Sequence, residues 1–125
     1  MQSSTIATLL IAALSAGAPA AAQTAAAPEP VVVVVDITTP PGISDAAIRA
    51  GMAKSVPQYR ALTGLIRKYF TLADGHFGGV YYWSSRAAAD AWFNDAWHAR
   101  VIKTYGRDAD VRVYAVPIAI DGERP

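Results

Sequence analysis

The segment "GLIRKYF", Gly64 to Phe70, places Lys68 between Ile66 and Phe70 in a stretch that reads as a strand. Strand side chains alternate between two faces, so Ile66, Lys68, Phe70 and Leu72 share one face. Leu65, Arg67, Tyr69 and Thr71 share the other. A desolvated ammonium titrates downward and becomes a base, whereas a charged one holds an anion. Lys68 is therefore the sharpest candidate for chemistry. The plainer alternative lays its stem on apolar surface and sends its head to water or a carboxylate. Arg67 points the other way and is expected to pair with an acid of the second helix.

Aromatic residues surround this lysine in sequence. Tyr69 is a candidate proton carrier. With Tyr81 and Trp83 it can line a cavity between sheet and helices, provided the hairpin register gives all three one face. Trp92 and Trp97 are further candidates to hold a planar ligand. Phe93, Trp97 and Val101 form an i, i+4 stripe that either packs the core or roofs a pocket. His98 can exchange protons near neutral pH, as can His76 at a hairpin tip. Solvated histidines are the simpler reading of both. Asn94 caps a helix together with Asp95, or else hydrogen-bonds a substrate oxygen.

Other chemistries find no support. The two histidines lack ligand-like spacing with carboxylates, so no metal site is expected. No glycine-rich loop follows a strand, and there is no nucleophile elbow. The chain contains no cysteine, which removes disulfides, thiol nucleophiles and iron–sulfur ligation. Its 11 basic and 10 acidic residues leave it close to neutral, which argues against a nucleic-acid partner.

The elements that must position these residues follow from local pattern. Residues 1–22 have the layout of a secretory signal peptide, with an apolar run at Ile6 to Leu14 and an A-x-A site at Ala20 to Ala22. The protein is therefore expected to be periplasmic or secreted, with no stable membrane span after cleavage. Residues 23–30 read as a flexible linker, 31–120 as one domain and 121–125 as a tail. "VVVVVDIT", Val31 to Thr38, is an unalternating β-branched run that suits a buried strand. Ser44 caps a helix carrying Ile48, Met52 and Val56, which Pro57 stops or kinks. Strands are expected at Leu65 to Leu72 and Gly78 to Trp83, joined by the loop "DGHF". Gly78 and Gly79 signal a bulge or a close backbone approach. A second helical region opens at Ser84 or Ser85. Asn94-Asp95 caps its second segment, which ends at Gly106, and Val111 to Ile120 is the last strand.

The order β-α-β-β-α-β is the ferredoxin-like α+β arrangement, a four-stranded antiparallel sheet with the helices on one face. The uncovered face would then carry large apolar side chains. Burying each stabilises by roughly 1.5–3 kcal/mol, so a homodimer that packs sheet on sheet, a dimeric α/β barrel, is expected.

"GLIRKYF", a turn, "GGVYYW" and "SSRAAADAWF" together resemble the YdhR-like monooxygenases of the dimeric α/β-barrel superfamily, relatives of the antibiotic biosynthesis monooxygenases. The likeness spans Val31 to about Ile118. It implies a ferredoxin-like subunit and a dimer. It also implies oxygenation of a small aromatic or quinol-like molecule without flavin, haem or metal, so no cofactor. The superfamily contains haem-degrading and catalytically unassigned members too. Two alternatives follow: a non-catalytic, ligand-binding stress-response protein of the cell envelope, and a haem protein using His98.

Overall fold

The computed structural model describes residues 28–124. The expected signal peptide and most of the linker lie outside them, and no helix among the described residues is long and apolar enough to cross a membrane. The elements run β1 (Val31–Thr38), α1 (Asp45–Arg60), β2 (Leu65–Ala73), β3 (His76–Trp83), α2 (Arg86–Trp92), α3 (Asp95–Tyr105) and β4 (Asp110–Ala115). The strands form one antiparallel sheet in the order β2-β3-β1-β4. This is the ferredoxin-like α+β fold, with the split second helical region counted as one.

β1 lies inside the sheet, between β3 and β4. Its odd-numbered residues Val31, Val33, Val35 and Ile37 are all buried beneath the helices. Trp83, Tyr81, Gly79 and Phe77 stand opposite them on β3 and share that face. Trp97 and Val101 of α3 close the core from above. The even-numbered residues Val32 and Val34 face the uncovered side, alongside Val80 and Tyr82.

Several boundaries differ from expectation for local reasons. α1 continues through Pro57 to Arg60, so the proline neither ends it nor keeps Tyr59 out of it. The ladder closes on the two-residue turn Asp74-Gly75, with Ala73 paired to His76. Gly75 takes a φ of 74°, which suits glycine. His76 and Phe77 are thus strand residues rather than loop. β4 stops at Ala115, ahead of Pro117, and Val116 donates its N–H to the Pro30 carbonyl. The bulge in the hairpin falls in β2 at Ile66, where Leu65 pairs with Trp83 and Arg67 with Tyr82. One extra residue there moves Leu65 onto the face of Lys68 and Phe70 and leaves Ile66 57 % exposed. Gly78 shows the close approach instead: a Cβ there would strike the Val35 carbonyl of the neighbouring strand.

Candidate functional site

A cavity of about 590 Å³ lies between the sheet and the helices α1 and α3. Sheet residues Val35, Ile37, Lys68, Phe70, Phe77 and Tyr81 form its floor. On α1 the residues Ile48, Met52, Ser55 and Tyr59 recur at spacings of four, three and four, so one helix face lines one wall. The opposite wall is α3, through Trp97, Arg100, Val101, Thr104 and Tyr105. These too follow helical spacing. Trp92, at the end of α2, joins the lining of this open cavity. The two helical segments stay in this relation because Asn94 ends one and starts the other. Its side-chain oxygen accepts from the Trp97 N–H at 2.9 Å.

Lys68 is the centre of the floor. Its Nζ lies 3.1 Å from the Tyr59 ring centroid, 3.9 Å from that of Phe70 and 4.5 Å from that of Tyr81. Among the described residues no carboxylate pairs with it. Burial lowers its pKa from 10.5 to about 7. Burial raises the Tyr81 phenol, with Tyr59 beside it adding to the effect. Tyr105 is also raised by burial, then by Tyr59. The site therefore offers an amine that loses its proton near neutrality, among phenols that keep theirs.

The aromatic walls interlock edge to face. Tyr59 packs edge-on against Phe70, Tyr81 and Trp92, with centroid separations of 5.7, 5.9 and 5.8 Å. Beneath them Phe93 wedges between Tyr81 and Trp97, 5.0 Å from each. The Trp92 indole N–H is buried with no acceptor among the described residues. An unmatched buried donor costs roughly 1–3 kcal/mol.

Six of the sequence-predicted residues fall elsewhere or act otherwise. Tyr69 is 56 % exposed on the opposite face of the sheet, because the register pairs it with Val80 while Lys68 pairs with Tyr81. Arg67 donates to the Tyr69 hydroxyl at 3.1 Å on that outer face and meets no acid of the second helical region. Trp83 is buried to 1 % and stacks on Tyr81, so it supports the floor without reaching the cavity. Asn94 is a cap at the surface. His98 lies outside the cavity, where the Asp108 carboxylate accepts from its Nδ1 at 2.7 Å and is held below the usual carboxylate range by that bond. His76 is likewise paired with Asp36, at 3.0 Å. Lys68, Tyr81, Trp92 and Trp97 are the predicted residues that the fold brings together.

No family model matches the chain, and no curated protein matches it. Solved structures do. A protein of unknown function from Nitrosomonas europaea matches with a TM-score of 0.60 and 16 % identity, covering 78 % of this chain and 98 % of that one. The heme-degrading protein Rv3592 of Mycobacterium tuberculosis matches with a TM-score of 0.55 and 19 % identity over 76 % and 99 % of the two chains. SnoaB, a cofactor-independent oxygenase from Streptomyces nogalater, matches with a TM-score of 0.54 and 13 % identity over 75 % and 99 %.

The chain shares the ferredoxin-like fold of these structures. Identities this low speak for the fold alone, so the chemistry must be argued from the cavity. Within that fold, sequence reasoning overlooked Tyr59, Phe70, Phe77, Arg100 and Tyr105 as lining residues. Two spacings could have found most of them. Continuing the α1 stripe past Pro57 reaches Tyr59, and extending the Trp97–Val101 pair by helical steps reaches Arg100, Thr104 and Tyr105.

Proposed function

We propose that the protein is a cofactor-independent monooxygenase acting on a small aromatic or quinol-like molecule, working as a homodimer in the periplasm or outside the cell. The observation that carries the chemistry is Lys68, a desolvated lysine without a carboxylate partner on the floor of an aromatic cavity. A base is most effective when its pKa lies near the working pH, and about 7 meets that condition. Neutral Lys68 takes the phenolic proton of the substrate. The resulting phenolate gives an electron to dioxygen, and the radical pair combines at a ring carbon that bears hydrogen. Loss of water leaves a quinone. One oxygen atom enters the product, the other leaves as water, and the substrate supplies every electron, so no external reductant is needed. The Lys68 ammonium formed in the first step stabilises the anion that it has created.

The homodimer reading rests on the outer sheet face, where Ile66, Tyr69 and Tyr114 are more than half or about half exposed alongside Val32, Val34, Val80 and Tyr82. The haem reading gains no support from the histidines, since neither lines the cavity.

The test uses 1-naphthol, whose para position bears hydrogen. Oxygen uptake and formation of 1,4-naphthoquinone are expected with the wild-type protein and not with K68M. Uptake no greater than in buffer across a phenol and quinol panel, or equal uptake by K68M, overturns the proposal.

A further inference from the structure

The cavity carries two basic side chains and no acid. Asp and Glu are absent from its lining, whereas Arg100 joins Lys68 there. Arg100 lies on α3 three residues after Trp97, so helical spacing puts the guanidinium on the same wall as the indole. The Arg100 side chain has no hydrogen bond or ion pair among the described residues, and the residue is exposed. Two other exposed arginines, Arg86 and Arg112, are matched by a neighbouring carboxylate, Asp90 at 2.9 Å and Asp110 at 3.1 Å, and Arg100 is the arginine that lines the cavity. An unmatched guanidinium beside an aromatic cavity is a fork for a planar anion, since it donates two parallel hydrogen bonds to a carboxylate.

The remaining lining narrows the ligand further. Gln58, Ser55 and Thr104 are the other polar side chains around the aromatic walls. Ser55 and Thr104 spend their hydroxyl protons on backbone carbonyls of their own helices, Met52 and Arg100. Donors free to meet a ligand are thus Lys68, Arg100, Gln58 and the Trp92 indole N–H, which has no acceptor among the described residues. The edge-to-face rings around Tyr59 favour a flat ligand over a flexible chain. A volume of about 590 Å³ admits one or two fused rings with a substituent.

We propose that this cavity takes an aromatic carboxylic acid, with the ring between the aromatic walls and the carboxylate on Arg100. This deepens the oxygenase reading by naming its substrate class, a phenol or quinol that also bears a carboxylate. Binding itself can be measured without turnover.

The experiment compares 2-naphthoate with 2-naphthamide, which match in shape and lack the phenol needed for oxidation. Binding is read by calorimetry and by quenching of tryptophan fluorescence in the full-length exported protein. The acid is expected to bind about tenfold or more tightly than the amide. R100Q is expected to erase that preference, R100K to keep part of it, and R86Q to leave it whole. Equal binding of acid and amide by the wild type, or an undiminished preference in R100Q, overturns the inference. Turnover then separates the two readings, with 1-hydroxy-2-naphthoate and 1-naphthol as substrates. Oxidation of 1-naphthol with no acid preference keeps the oxygenase and sinks the carboxylate site. Acid preference without any oxidation does the reverse.

Discussion

The Lys68 ammonium sits 3.1 Å from the centre of the Tyr59 ring, and the two come from different layers, β2 of the sheet and α1 above it. Two opposed effects meet in that contact. The ring face attracts a cation, whereas burial favours the neutral amine. Burial prevails, and the pKa falls to about 7. The contact also ties the protonation of Lys68 to the seating of α1, because Tyr59 arrives on the last turn of that helix.

Activity should therefore depend on pH through this one group. Tyr81 and Tyr105 are both held above the ordinary phenol value, so neither titrates near neutrality. Arg100 also lines the cavity but lies on the other wall. For 1-naphthol, kcat/KM should rise with pH through a midpoint near 7 and level off above it. K68M should be slower by roughly 10²-fold or more and lose that midpoint. A wild-type profile that is flat from pH 6 to 8 would contradict the assignment of Lys68 as base.

Stability should follow a related curve. Lys68 has a lowered folded-state pKa, so between about 7 and 10.5 the unfolded chain binds more protons than the folded one. Stability from this group rises across that window and is lost as pH falls through 7. Tyr81 and Tyr105 have raised values, so their contribution is present below 10 and is lost above it. Urea midpoints should accordingly climb from pH 7 towards pH 9–10 and then drop. The climb should amount to roughly 1–3 kcal/mol, less than an unscreened shift implies because water reaches part of the ammonium. In K68M the climb should vanish, and at pH 6 the variant should be the more stable protein.

How far the sequence could be read depended on whether a signal was local. The order of strands and helices, the Asn94 break and the end of α3 at Gly106 were legible because caps and turns are written in adjacent residues. Alternation set Lys68 and Tyr69 on opposite faces, but it could not say which of the two faces the helices. Tyr69 was not separable from Tyr81 and Trp83, because that requires the pairing register, a relation between residues distant in sequence. The Ile66 bulge then moved Leu65 to the other face as well. Tyr59 was lost to an over-reading of Pro57: a proline in the last turn of a helix removes one hydrogen bond without ending it. Arg100 lay within helical steps of Trp97, but its significance comes from its place on the cavity lining, which only the assembled fold displays.

Two glycines should respond in opposite ways to alanine. Gly78 faces the Val35 carbonyl on the adjacent strand, and that backbone cannot yield without breaking the β1–β3 ladder. G78A should lower the thermal midpoint by several degrees or prevent folding, as a cost of roughly 1–3 kcal/mol implies. Gly51 lies in α1 with open space where a Cβ would stand. G51A should gain about 0.5–1 kcal/mol from helix propensity. Thermal unfolding of the two variants side by side decides the matter, and a neutral G78A would contradict the packing described at that strand pair.

Asn94 separates a structural from a binding role. Its Oδ1 caps α3 at the Trp97 N–H and its Nδ2 donates to the Ala91 carbonyl, both at the surface. N94A should cost about 1 kcal/mol in chemical denaturation. N94D, which keeps the capping oxygen, should recover most of that loss. The KM for 1-naphthol should stay within about twofold in N94D, since the cap preserves the wall that Trp97 builds. A large rise in KM with unchanged stability would return Asn94 to the substrate.

The outer sheet face gives the remaining prediction. Val34 stands at its middle, between Val80 of β3 and Arg112 of β4, and its neighbours Val32 and Tyr82 extend the apolar surface. A second copy placed by a two-fold axis would cover this patch with the same patch, so the large side chains of each copy would be buried by those of the other. Sedimentation should show a dimer at micromolar concentration. V34E puts a carboxylate where the copies would meet. On a solvated face that change costs little, but between two sheets it buries an unpaired charge. V34E should therefore sediment as a monomer while retaining the wild-type far-UV spectrum and its affinity for 2-naphthoate. A wild-type protein that remains monomeric at that concentration removes the case for sheet-on-sheet pairing, yet leaves the cavity on the other face intact, because its walls all come from one chain.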